Sequence, residues 1–129
     1  MSISQRLPHC DSHDPARVAF VHYLDPSEAS GGTAFFRHRS TGFETVAQPR
    51  AKPYHDALAQ ELTRHPPEGY PAEQTPVFTR TGVIEPVFNR LIVFRGITLH
   101  GGLIRPDDAL AASARQGRLT LNTMLQLDA

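Results

Sequence analysis

Between residues 7 and 15 the chain reads LPHCDSHDP, two histidines and two aspartates beside its single cysteine. On an extended backbone His9 and Asp11 point the same way and Cys10 points the opposite way. A third imidazole, His100, closes a strongly apolar stretch, and Arg118 and Thr120 follow it on a later segment. Two imidazoles and one carboxylate are the donor set of a facial-triad iron(II) site, which leaves coordination positions open on the metal. An arginine beside such a site can grip a dicarboxylate through paired hydrogen bonds, with a threonine hydroxyl on the same strand face as a further donor. A co-substrate held there could chelate iron through a 2-oxo acid group. His-x-Asp alone is a common loop pattern, so the reading rests on the whole constellation.

Other polar residues compete for roles. His13 and Asp14 are adjacent, so on an extended chain they point apart, which fits a surface loop better than a chelate. Cys10 reads as a packing residue. Arg37 and Arg39 flank His38 and either contact an anionic substrate or make structural salt bridges. Tyr23 and Asn122 are candidates to line the co-substrate pocket, Asn122 because it shares a strand face with Arg118 and Thr120. His22, His55 and His65 read as strand or helix surface. Phe35, Phe36, Leu91, Val93 and Phe94 read as core, and Asn89-Arg90 as a structural turn.

Short β-branched and aromatic segments must position these groups. Residues 17–24, RVAFVHYL, read as a strand, closed by Asp25-Pro26 and Gly31-Gly32. Residues 33–37, TAFFR, read as the next, and the two together as a hairpin. One amphipathic helix is expected over 53–65, with Pro53 at its start, Tyr54, Leu58 and Leu62 on one stripe, and Pro66-Pro67 at its end. Residues 66–76 read as an irregular proline-held loop and 77–88 as one or two short strands. Residues 90–95, RLIVFR, read as a strand, with His100 in a glycine-flanked turn beyond it. Residues 106–115 read as a short helix or a loop. Residues 117–127 alternate: Arg118, Thr120, Asn122 and Met124 on one face, and Leu119, Leu121, Thr123 and Leu125 on a face expected to meet the core.

Bulk properties agree with a β-rich single domain over residues 1–129. Eleven prolines and nine glycines are more than a helical bundle carries. A formal net charge of zero gives no field to steer the chain to nucleic acid or anionic lipid. No apolar run reaches the roughly 18 residues of a membrane span, and the N-terminus lacks an apolar signal core. One cysteine allows no internal disulfide. The expectation is a soluble, cytoplasmic protein that binds neither nucleic acid nor membrane.

The segments HCDS, VHYLDP, GGTAFFRHRSTGFE, NRLIVFRGITLHGG and GRLTLNTML occur in an order that resembles the iron(II)/2-oxoglutarate-dependent dioxygenases. The likeness is greatest to a bacterial group of oxygenases related to prolyl 4-hydroxylases, and it covers Leu7 to Leu127. It implies an all-β fold with one or two short helices, a double-stranded β-helix (jelly roll, cupin-like) with the metal at its open mouth. It implies His9, Asp11 and His100 as iron ligands and catalytic centre. Arg118 would salt-bridge the far carboxylate of 2-oxoglutarate, Thr120 assisting. The implied chemistry is oxidative decarboxylation of 2-oxoglutarate by O2, coupled to C–H hydroxylation of a small molecule or peptide. Asp25 stands where such proteins often have asparagine, and few residues precede His9. The expectation is a natural minimal form of that fold, a fragment, or a chain that completes its sheet with a second copy as a homodimer, since an unpaired edge strand invites pairing.

Two other readings use the same residues: a metal- or ligand-binding jelly roll without turnover, and a zinc or manganese hydrolase or isomerase. Arg118 with Thr120 argues against the last, which needs no dicarboxylate clamp. Substrate choice would fall to the loops 40–76 and 101–116, the second a candidate lid.

Overall fold

The computed structural model describes residues 7–24, 31–67, 74–103 and 120–127. The expected turn at Asp25-Pro26, the 106–115 segment, Arg118 and Leu119 lie outside them, as does most of the proposed lid. The elements are β1 (Arg17–Tyr23), β2 (Thr33–His38), α1 (Gln48–Arg64), β3 (Phe78–Ile84), β4 (Leu91–Arg95), β5 (His100–Gly102) and β6 (Thr120–Gln126).

The strands form two antiparallel three-stranded sheets, ordered β4-β1-β6 and β3-β2-β5. The expected β1–β2 hairpin does not form. β1 and β2 go to different sheets, because β1 is already paired on both edges, by β4 and by β6. Two contacts bring the sheets face to face. The Tyr23 hydroxyl bonds Thr33 Oγ1 across the gap, and the rings of Phe35 and Phe94 meet edge to face at 5.4 Å. Among the described residues the fold is thus mainly β with one helix, as expected.

Strand alternation assigns β2 two jobs. Ala34, Phe36 and His38 are buried on the side that meets the helix; Thr33 and Phe35 face the other sheet. The helix-side core joins Ala34, Phe36, Val46, Ala51, Tyr54, Val77, Phe78 and Leu99. Burying a side chain the size of Phe36 contributes about 1.5–3 kcal/mol. His38 is fully buried there, its ring between Tyr54 and Phe78, with Nδ1 bonded to Thr41 Oγ1 at 2.7 Å and Nε2 to Glu61 Oε2 at 3.0 Å.

Helix α1 starts five residues before Pro53. Pro49 stands in the first turn, where a missing N–H costs nothing, and Pro53 is carried on an exposed face inside the helix. Its apolar stripe begins one turn earlier than expected, at Ala51, and continues through Tyr54 and Leu58.

Glycines 31 and 32 are set by crowding. A Cβ at Gly31 would overlap the Leu103 carbonyl, and one at Gly32 the Ile84 carbonyl, so only glycine admits these neighbouring backbones.

The β4-β1-β6 sheet departs most from expectation. The pairing places Ala19, Val21 and Tyr23 of β1 on one face with Phe94, Ile92, Asn122 and Met124. The opposite face carries Val18, Phe20, His22, Leu91, Val93, Leu121, Thr123 and Leu125. Leu91, Val93, Leu121 and Leu125 are 53%, 54%, 56% and 48% exposed, so Leu91 and Val93 are not core and the leucine face of β6 does not meet it. The polar face of β6 is the one turned toward the second sheet.

Candidate metal centre

The site is assembled by backbone pairing. His9 and His100 form an antiparallel bridge, with His9 N–H donating to the His100 carbonyl at 2.8 Å and His100 N–H to the His9 carbonyl at 2.9 Å. Directly paired residues share a face, so the two imidazoles stand side by side, 4.5 Å between ring centroids. His100 also pairs with Phe35 on its other edge, which fixes it at the start of β5 rather than in a turn. Asp11, two residues after His9, returns to the same side. Its Oδ1 lies 3.6 Å from His9 Nε2 and its Oδ2 3.4 Å from His100 Nε2. The three donor atoms lie within 4.8 Å of one another, and this cluster could hold a metal ion.

The environment prepares the donors. His100 Nδ1 donates to the Thr98 carbonyl at 2.8 Å, which leaves Nε2 with its lone pair toward Asp11. Burial is the largest influence on His100 and holds its pKa below the usual histidine value, with His9 acting the same way. The Thr98 and Asp11 oxygens oppose this. The ring packs on Phe94 at 4.6 Å. His9 is the open side of the cluster, its side chain 49% exposed.

The cluster edges a cleft of about 440 Å3 between the sheets, lined by Ala19, Val21, Thr33, Phe94, Gly102, Asn122 and Met124. A volume of that order suits a small organic ligand. Asn122 therefore lines the cleft beside the cluster. Thr120 shares its face of β6 and is paired with Tyr23. Tyr23 is 1% exposed, and its hydroxyl meets Thr33, which lines the cleft. The walls Ala19, Val21, Phe94 and Met124 were missed; the period-two pattern of β1 and β4 could have found them once the inward face was known.

Alternation splits the Arg37-His38-Arg39 run. Arg37 is exposed on the face of β2 that carries Phe35. His38 points into the helix-side core, and Arg39 turns away, its guanidinium donating to the Thr75 carbonyl at 3.1 Å. Cys10 packs beneath the cluster against the helix-side core, and burial, then the Asp11 charge, raises its thiol pKa, so it packs as a neutral thiol. Asn89 takes a left-handed turn (φ 65°) and accepts from His22. Asp14 caps its own turn, accepting from Ala16 N–H and from the Gln126 amide, both at 2.9 Å. His13 is not loop surface: its ring is half buried and donates to the Val46 carbonyl at 2.8 Å.

Two facing β-sheets with a His-Asp-His cluster at the cleft between them define a β-rich protein with a candidate metal centre. The chain belongs to the family of unknown function DUF6445, whose profile matches residues 1–125. No curated protein and no solved structure matches it. Among the described residues no helix is long and apolar enough to cross a membrane.

Proposed function

We propose that this protein is an iron(II)/2-oxoglutarate-dependent oxygenase acting on a small molecule or peptide. The observation that carries the reading is the convergence of His9, Asp11 and His100 on one face at a ligand-sized cleft. Neighbouring ligands of an octahedral first-row ion lie roughly 3 Å apart. The Asp11 oxygens nearest the two imidazoles stand at 3.4 and 3.6 Å and the whole donor set lies within 4.8 Å, so a bound ion would draw the three side chains together. Two imidazole nitrogens and one carboxylate fit iron(II) and leave positions for a chelating 2-oxo acid and O2.

When bound, iron and 2-oxoglutarate would supply the oxidising chemistry with O2 as oxidant: 2-oxoglutarate goes to succinate and CO2, one oxygen atom of O2 entering succinate and the other a substrate C–H bond. The chain's own residues supply position and environment. Thr98 fixes the tautomer of His100, Asp11 would supply the one anionic donor beside two neutral imidazoles, and Phe94 keeps water from one side of His100. Asn122 offers an amide to a ligand in the cleft. Arg118, two residues before Thr120 in sequence, is assigned to the far carboxylate on the sequence alone.

The test is an anaerobic titration with iron(II) and 2-oxoglutarate, read by the visible metal-to-ligand charge-transfer band. The expected result is a band in the wild type that His100→Ala abolishes. Arg118→Ala keeps the metal and weakens 2-oxoglutarate by about 2–5 kcal/mol, as for loss of one partner of a buried charge pair. No band in folded wild-type protein would reject the oxygenase reading, and unchanged 2-oxoglutarate affinity in Arg118→Ala would reject the anchor.

A further inference from the structure

A second pair of imidazoles lies on the other side of the N-terminal segment. Asp11 and Ser12 both donate to the Gly96 carbonyl, at 2.8 and 3.1 Å, two residues against one as in a β-bulge. This breaks the alternation that points His9 and Asp11 into the cleft, and it turns His13 toward helix α1. His13 is fixed there twice: its carbonyl accepts from Gln48 N–H at 3.0 Å, and its Nδ1 donates to the Val46 carbonyl at 2.8 Å. The second bond settles the tautomer and leaves a lone pair on Nε2. Two helical turns past Gln48, His55 brings its own Nε2 to 3.4 Å from that lone pair, the rings nearly perpendicular at 5.4 Å between centroids.

That spacing is long for an N–H hydrogen bond, which centres near ~2.9–3.0 Å. It fits a shared metal. Two imidazole nitrogens at ~2.05 Å from a tetrahedral zinc stand about 3.3 Å apart, with their ring centroids about 5.2 Å apart. An imidazole whose other nitrogen donates to a backbone carbonyl is also the usual form of a histidine ligand. Cys10 Sγ is 3.8 Å from Nδ1, on the side of the ring away from the shared position, so it is not a third ligand.

We propose that His13 and His55 form a second metal site, for a borderline divalent ion such as zinc, with solvent completing the shell. The ion staples the segment bearing His9 and Asp11 to helix α1. Imidazole nitrogens suit zinc, nickel and copper, and the absence of a carboxylate from the pair separates this site from the first. The proposal does not rest on the oxygenase reading.

The experiment uses tag-free full-length protein, stripped with chelator and dialysed against micromolar zinc, with bound metal measured by elemental analysis. His55 is exposed on the helix, so His55→Gln leaves the fold intact, which circular dichroism confirms. The expected result is that His55→Gln loses one zinc equivalent relative to wild type, in the native and in the His100→Gln background alike. Zinc raises the melting temperature of His100→Gln but not of the double variant. His13→Gln gives the same loss of zinc as His55→Gln. If His55→Gln binds as much zinc as its parent in both backgrounds, the proposal is overturned. If His100→Gln binds as much as wild type while His55→Gln loses one, this site stands and the first cluster does not.

Discussion

His100 is where the fold and the chemistry constrain one side chain most tightly. Its backbone is paired on both edges, by His9 and by Phe35, and its ring is buried against Phe94. Burial disfavours the imidazolium, so the folded pKa lies below the unfolded value of about 6.5. The sign of the pH dependence follows. Between the folded value and about 6.5 the unfolded chain binds more protons at this position, so stability rises with pH across that window. It is lost as pH falls from about 6.5 toward the folded value and changes no further below it. Metal-free wild type should therefore lose more stability between pH 7.5 and 5.5 than His100→Gln, as read from urea midpoints. Equal losses in the two would show that the ring is not held neutral by its burial. The same displacement keeps His100 available to a metal in mildly acidic solution, where an ordinary histidine is increasingly protonated.

Among the elements, β2 and α1 carry the greatest structural demand, because one strand serves the core and the cleft on its two faces. His38 links them from inside the core: Thr41 on its own strand's turn, Glu61 on the helix, Tyr54 and Phe78 against the ring. His38→Ala removes a fully buried ring and leaves Thr41 and Glu61 without it. The expected cost is about 3 kcal/mol in urea unfolding, with metal stoichiometry unchanged. A cost under about 1 kcal/mol would mean the pair behaves as an exposed contact. Sequence patterning found β1, β2, β4 and β6 to within a few residues, because β-branched and aromatic runs between glycines and prolines admit little else. It also singled out His9, Asp11 and His100, which the fold brings together as a cluster that could hold a metal ion, and Asn122, which lines the cleft, since strand alternation and residue chemistry are local. What it missed is set by pairing between distant segments. No local feature of RVAFVHYL says that its edges are taken by residues 91–95 and 120–126, so the β1–β2 hairpin was the natural but incorrect expectation. The start of α1 was missed for a related reason: Pro49 and Pro53 both suit a first turn, and the docking of Gln48 on the His13 carbonyl decides between them. His13 was misread because the bulge at Gly96 is a tertiary feature.

For the molecule as a whole, the outward face of the β4-β1-β6 sheet poses the largest energetic question. Leu91, Val93, Leu121, Leu125 and Leu127 each expose about half of their surface there. Contiguous apolar patches larger than a few hundred Å2 are uncommon on monomers and mark contact surfaces. The exposure itself makes a prediction. Replacing Leu121 and Leu125 by threonine keeps strand propensity and removes little buried area. The pair should change monomer stability by no more than about 0.5 kcal/mol per site. Phe36→Ala, in the closed core beside the helix, should cost about 3–5 kcal/mol. Urea unfolding at several protein concentrations separates the alternatives. A small cost at every concentration means that the face is open in solution. A large cost independent of concentration means that another part of the same chain covers it. A cost that grows with protein concentration means that a second copy does, because mass action stabilises only the associated fold.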